Sequence, residues 1–300
     1  MRIAPGDLSS NAYARSASPM AAAPSDGEAL LIERMRASNT LTHITKLNAT
    51  PRVWKTPGYE AGLEYVVSQM KAAGWDVRVE EIEVGGFRPG KVRNVVAERR
   101  GTAPDGDRKL VIAGAHLDSV HGGPGANDNA SGSGTLIELA RSLSGIETRN
   151  DLRIVWFDGE EAGLLGSRAH AKAMSPADRA RTIAMVNMDM VGSLRGDVGA
   201  SLGVRTSNAI ADVYKGVMLR TKLGGIVRTE RHSRSDHASF DNLGIQVLDF
   251  GVSVANLNKE DPYYHSPKDT VDKINPQVLE GYGDLIAVTV LDLANRPSLG

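Results

Sequence analysis

Residues 109–115 read KLVIAGA, a nearly continuous apolar run of strand length. A strand with apolar residues on both sides must be covered on both faces, the situation of a central strand in a parallel sheet. The chain then repeats a theme. Helical patterns at 131–143, 164–174, 208–219 and 276–293 alternate with strand patterns at 152–157, 182–188 and 245–250. Alternation of this kind predicts a largely parallel sheet with helices on both faces.

Upstream of that run, helical spacing marks 28–47 and 59–73, the second carried by Leu63, Val66, Val67 and Met70 and ending at Gly74. Segments 76–84 and 92–98 alternate apolar and polar residues, as strands with one covered face do, around the turn GGFRPG at 85–90. There is no internal repeat and no second-domain linker. Residues 28–300 therefore read as one α/β domain with a mixed, largely parallel central sheet. Residues 1–27, rich in Ala, Ser and Pro, are expected to be a flexible N-terminal segment. They lack the apolar h-region of a signal peptide.

Composition narrows the chemistry. An apolar fraction of 41% is ample for a buried core, and a net charge of −1 offers no electrostatic case for nucleic acid or an anionic membrane. The longest apolar runs fall far short of the ~20 residues of a membrane helix. The chain has no cysteine, so thiol catalysis, thiolate metal sites and disulfides are all excluded. Any transition metal must be held by His and carboxylate, a set that suits zinc, manganese or iron.

Those residue types gather where the strands end. His116 and Asp118 close the first central strand, and Asp128 lies in the Gly-rich loop before the next helix. Glu160 and Glu161 follow strand 152–157, Asp189 follows 182–188, and His265 comes after the last strand. Open α/β sheets bind their ligands at the carboxyl ends of their strands. Taken singly, an Asp there is a helix cap or turn residue, and a His is a satisfied core or surface group. Taken together, carboxylates at one sheet edge repel by about 4 kcal/mol per pair at 4 Å and an effective dielectric near 20. Protons or cations must neutralise them, and two histidines in the same place argue for cations. Two divalent ions about 3.5–4 Å apart need a carboxylate bridge. With one bridging Asp, the other four ligands divide two and two, leaving each ion an open position, as catalytic zinc requires.

The strings GAHLDSV, GANDNASGSG, DGEEAGLLGS, NMDMVG, RSDHASF and YYHSPKDT resemble the zinc aminopeptidases of metallopeptidase clan MH, of the aminopeptidase S and bacterial leucyl aminopeptidase type. The likeness covers roughly residues 58–294, with the motifs in the family's order. It implies two Zn2+ per chain, with His116 and Asp189 on one, Glu161 and His265 on the other, and Asp128 bridging. It implies Glu160 as general base, Tyr264 polarising the scissile carbonyl, and Asp118 as the carboxylate behind the His116 end of the site. The peptide after the bridging Asp, here Asp128-Asn129, is often cis in this family. The resemblance further implies removal of N-terminal residues, hydrophobic ones such as Leu, from peptides with a free N-terminus, by a hydroxide shared between the zincs. Arg234 is expected to contact the substrate main chain, against the plainer reading of a surface arginine in an Arg-rich loop. Phe250 and Gly251 are expected at the side-chain pocket. An exported location, secreted or periplasmic, is implied by likeness, with the cytoplasm as the alternative where no h-region is found. The spacing leaves no room for the protease-associated domain that many relatives carry.

For the other histidines the plainer readings are preferred. His43 and His170 sit in helical patterns as packing or surface residues, and His121 and His232 are expected to be solvated loop residues. His237 stands near the site in its motif. GPGANDNASGSG lacks the Lys-Ser/Thr of a phosphate loop, and no Ser sits in a nucleophile elbow. Three alternatives share the fold: a carboxypeptidase or dipeptidase, a single-zinc glutaminyl cyclase, and a binding module without chemistry. All five positions of a bridged pair are filled here, and so is the base.

Overall fold

Along strand β3 (Leu110–His116) every residue is buried, and its side chains divide between two cores with the strand's period of two. Leu110 and Ile112 join Val155 and Phe157 of β4 (Asp151–Phe157) and Met185 of β5 (Thr182–Asp189) on one face. Val111, Ala113 and Ala115 join Ile154, Trp156, Val186 and Met188 on the other. The sheet is thus covered twice, as the apolar run at 109–115 requires. Each buried Val or Leu contributes about 1.5–3 kcal/mol relative to exposure, so these three strands form the least deformable part of the molecule.

The computed structural model describes residues 23–299. Of the expected flexible segment 1–27, residues 1–22 lie outside the described residues. The order of the eight strands is β1-β2-β4-β3-β5-β8-β6-β7. β1 (Asp76–Val84) and β2 (Gly90–Arg99) form an antiparallel hairpin, and β2 runs antiparallel to β4. β4, β3, β5 and β8 (Val247–Gly251) are parallel neighbours. Beyond them β6 (Gly199–Gly203) pairs antiparallel with β8 and parallel with β7 (Ile226–His232). The sheet is mixed, with four parallel pairings among seven.

Helices α1 (Asp26–Arg34), α2 (Ala37–Leu47) and α3 (Pro57–Ala72) precede the sheet. α4 (Gly132–Ser142) and the long α10 (Pro276–Asn295) supply Leu136, Leu139, Leu285 and Val288 to the larger core. α5 (Leu165–Ala173), α6 (Pro176–Arg181) and α8 (His237–Asp241) follow in chain order around α7 (Ala209–Thr221), and α5 and α8 bring Ala171 and Phe240 to the smaller core. A short α9 (Leu257–Glu260) follows β8.

The sequence predicts one helix over 28–47, whereas the chain breaks at Met35, whose backbone is extended. Nothing in Arg34-Met35-Arg36 is a helix breaker. The cause is tertiary: Met35 is buried in the core, and the free N–H of Ala37 at the start of α2 donates to the Glu280 carboxylate on α10. The sequence also lacks clear signals for β6 and β7. β6 reads GASLG, without a β-branched residue. Among the described residues, no helix is long and apolar enough to cross a membrane.

Candidate metal centre and active site

β3, β4 and β5 end side by side, and their carboxyl ends carry the site. His116 is the last residue of β3 and Asp189 the last of β5, while Glu160 and Glu161 lie three and four residues beyond β4. Asp128 sits in the tight turn 126–131 that leads into α4, and the Asp128-Asn129 peptide is cis. His265 lies in the loop between α9 and α10.

Asp128 offers one oxygen to each histidine. Its Oδ1 is 3.2 Å from His116 Nε2, and its Oδ2 is 3.2 Å from His265 Nε2. Asp189 Oδ1 lies 3.4 Å from His116 Nε2 on one side, and Glu161 Oε2 lies 3.1 Å from His265 Nε2 on the other. The five residues thus form two groups, His116–Asp128–Asp189 and Asp128–Glu161–His265, with Asp128 common to both. Separations of this size match the edge of a tetrahedral zinc shell, about 3.3 Å for bonds near 2.0–2.1 Å. Buried Asp189 Oδ1 and Glu161 Oε1 make no hydrogen bond. A buried carboxylate oxygen without a donor is costly, and a cation at each group would satisfy it. The donor set of two imidazoles and three carboxylates fits a pair of divalent ions such as zinc.

The charge balance among these side chains makes the same demand. Burial pulls the His116 imidazole down, but Asp189 and the neighbouring carboxylates outweigh it and raise it well above its ordinary range. His265 is likewise depressed by burial yet carried up to about 10 by Asp128 and Glu161. Burial pushes Glu161 up to about 7, with Asp128 adding to it. Burial also raises Glu160 well above the carboxylate range. Asp128 is held well below that range by the two histidines despite its burial. Protons crowd into a space that two cations would neutralise.

Supporting side chains set these ligands. Asp118, fully buried, accepts the Glu160 and Glu161 amides at 3.0 and 3.1 Å and so fixes the turn that presents both glutamates. His116 Nδ1 lies 3.1 Å from the Asp118 carbonyl, to which it donates its proton, leaving the Nε2 lone pair free to hold a metal ion. Asp269 accepts the backbone amides of Asn127 and Asp128 at 2.8 and 3.0 Å. The Asn129 side chain donates to the Met188 carbonyl and accepts from Gly132 and Met190, tying the turn to the end of β5. Arg52 is buried and donates to the carbonyls of Leu47, Leu117, Pro124 and Gly125. Arg52 lies in none of the quoted strings, and although Asp269 and Asn129 stand within YYHSPKDT and GANDNASGSG, their roles are not readable there, because all three act through backbone groups brought to them by the fold.

A cavity of about 300 Å³ opens over Asp128, Glu160, Glu161, Asp189 and His265. Tyr264 and Arg234 line it, and the Tyr264 ring stacks on His265 at 3.7 Å. Phe250 and Gly251, expected at the pocket, do not line it. The Phe250 ring is buried against Tyr214, and Gly251 is packed against the Asp189 backbone. Alternation along β8 explains the first: the residue before Phe250, Asp249, faces the cavity instead. The apolar lining falls to Leu164, Met190, Val252, Val254 and Leu257.

His43 and His170 are buried packing residues bonded to Tyr65 and Glu80, and His121 is exposed. His232 departs from expectation. It ends β7, lines the cavity, and lies 3.3 Å from Asp249.

The model of Peptidase family M28 matches residues 94–290. Leupeptin-inactivating enzyme 1 of Streptomyces exfoliatus is 30% identical over 92% of this chain and 65% of its own length. A probable leucine aminopeptidase of Arthroderma otae is 28% identical over 88% of this chain and 75% of its own. Among solved structures, an aminopeptidase from Aneurinibacillus sp. strain AM-1 superposes with a TM-score of 0.82. It has 22% identity and covers 91% of this chain and 97% of that one.

Proposed function

Because the chain belongs to Peptidase family M28, we propose that it is a two-zinc aminopeptidase that removes N-terminal residues, hydrophobic ones such as Leu, from peptides. The observation that carries this is the placement of Asp128 between His116 and His265, one oxygen toward each. His116 and Asp189 would hold one zinc, Glu161 and His265 the other, with Asp128 between them. When bound, such ions polarise a substrate carbonyl and bring the pKa of water from 15.7 toward about 7.

The chain's own residues do the rest. Glu160 stands beside the ligands on a turn pinned by Asp118; burial raises its carboxyl, and bound cations would lower it again so that it can accept a proton in mid-reaction. It takes the proton of the attacking water and returns it to the leaving amine. The Tyr264 hydroxyl, itself raised by burial and the carboxylates around it, stays protonated and donates to the developing oxyanion. The carboxylate oxygens of Glu160 and Asp189 receive the substrate's ammonium. Arg234, exposed at the rim, reaches the substrate main chain, and Leu164, Met190 and Val254 offer apolar surface to its first side chain. The relative named as a leucine aminopeptidase supports the apolar preference. Export from the cell is the location this reading favours, by likeness to the family.

Cleavage of leucyl-p-nitroanilide should vanish with a chelator and return with zinc, with at least two zincs per chain by metal analysis, two of them dependent on the residues around Asp128. Peptides blocked at the N-terminus should resist. One zinc per chain with no cleavage would point instead to a cyclase-like centre.

A further inference from the structure

A second cluster of metal-binding side chains stands in the same cavity wall and shares no residue with the group around Asp128. It consists of His232 at the end of β7, His237 at the start of α8 and Asp249 in β8. We propose that these three residues hold a further divalent ion of the zinc type, one ion per chain, with its open position toward the cavity.

The separations are close to those of the main site, and since each histidine faces a different oxygen, one ion would take Asp249 through both. His232 Nε2 lies 3.3 Å from Asp249 Oδ2, and His237 Nδ1 lies 3.5 Å from Asp249 Oδ1. All three donor atoms fall within 4.8 Å of one another. Edges near 3.3 Å are those of a tetrahedral shell with bonds near 2.0–2.1 Å, and the edges around Asp128 are 3.1–3.4 Å.

Two buried nitrogens are aimed into this space without a hydrogen bond. His237 is fully buried and its Nδ1 has no partner; neither has His232 Nε2. The His237 tautomer is set by its far side, where Nε2 donates to the His232 carbonyl at 2.9 Å. With a proton only there, Nδ1 presents a lone pair to the Asp249 carboxylate, and the two acceptors facing each other need either a second ring proton or a metal ion between them, competitors for one position. A backbone carbonyl taking the distal N–H is also the usual support of a metal-bound imidazole. Asp249 is steadied by Asn187, which donates to Oδ1 at 2.7 Å. An ion at His232 Nε2 moves that ring's proton to Nδ1 and gives up its long 3.4 Å contact with the Arg234 amide. Occupancy therefore reaches the loop that carries Arg234. Imidazole with carboxylate selects zinc and its transition-metal neighbours over magnesium or calcium.

The test is zinc stoichiometry after loading and desalting, read alongside a thermal melt that reports folding. The parent chain should bind one zinc more than His232→Gln or His237→Gln, and the last equivalent should weaken at least hundredfold in either variant. His232 is at the cavity wall, so His232→Gln serves if the buried His237→Gln fails to fold. Asp128→Ala provides the second arm: it disables the main site and should still retain one zinc that His232→Gln in the same background removes. That arm reads the further ion even if the two-zinc assignment around Asp128 fails. Equal zinc content in the parent and both folded histidine variants would overturn the proposal, as would an Asp128→Ala chain that holds none.

Discussion

In the proposed reaction Glu160 and Glu161 are neighbours with different work, and the Asp118 carboxylate holds both of their amides. Glu161 faces His265, whereas Glu160 lines the cavity and has no histidine at bonding distance. Glu160→Gln should therefore keep full zinc content and lose at least about a hundredfold in turnover, the usual scale of general acid–base catalysis. Near-normal turnover in a zinc-replete variant would reject the assignment. Asp118→Ala removes both anchors of the turn, and kcat should fall with little change in KM, readable from initial rates on leucyl-p-nitroanilide. Much of this site is legible in the sequence, because ligands at strand ends occur in short strings of recognisable spacing, such as His116-Leu117-Asp118 and Glu160-Glu161. Asp269 and Asn129 lie within the quoted strings, but their roles are not legible there. They hold backbone amides and carbonyls from residues distant in sequence or across a turn, and no spacing rule encodes that. The cavity position of His232 is hidden from the sequence for a related reason: its partner Asp249 comes from another strand.

Elements carried by apolar periodicity, β3, β4, β5 and α10, are readable from sequence because their pattern is set by the two cores they face. The break between α1 and α2 is not readable, since it depends on Glu280 from the far end of the chain. The same distance separates Arg52 from what it supports. Its guanidinium bonds carbonyls from the end of α2 and from both ends of the loop 117–125, and burial lowers it only to about 10, so it remains a cation at neutral pH. Arg52→Met strands several buried carbonyls at about 1–3 kcal/mol each. We expect a stability loss of at least about 3 kcal/mol in urea denaturation, and weaker zinc retention as the loop carrying Asp118 and leading to Asp128 slackens. Strand pairing sets a second tight point. A Cβ on Gly251 would lie 1.8 Å from the Asp189 carbonyl oxygen. Gly251→Ala must push β8 from β5, at about 1–3 kcal/mol for forced overpacking, and should displace Asp189 enough to lower zinc affinity in a competition assay.

For the molecule as a whole, the ions and the fold are coupled through charge. In the stripped chain Glu161 and Asp236 stand at about 7 and Asp158 at about 8, each raised chiefly by burial. Unfolded, these carboxyls ionise near 4. A raised carboxyl contributes stability that is complete below its unfolded pKa and is lost as pH rises through the folded value. His265, raised to about 10, adds a term of the same sign. The Tm of stripped protein should therefore fall between pH 5 and 8. Zinc needs deprotonated ligands, so the gap between loaded and stripped Tm should widen over the same range; a constant gap would count against ligation by these residues. The order of the strands has one last consequence. The ligands of the Asp128 group rise mainly from β3, β4 and β5, while much of the cavity wall, 233–234 and 252–257, follows β7 and β8. In the proposed site most of the metal-holding residues thus come from one half of the sheet, and much of the variable cavity wall from the other. A randomised library confined to Ser233, Arg234, Val252, Val254 and Leu257 should yield enzymes of altered diet whose zinc stoichiometry matches the parent, so that selectivity can drift while the catalytic apparatus is inherited intact.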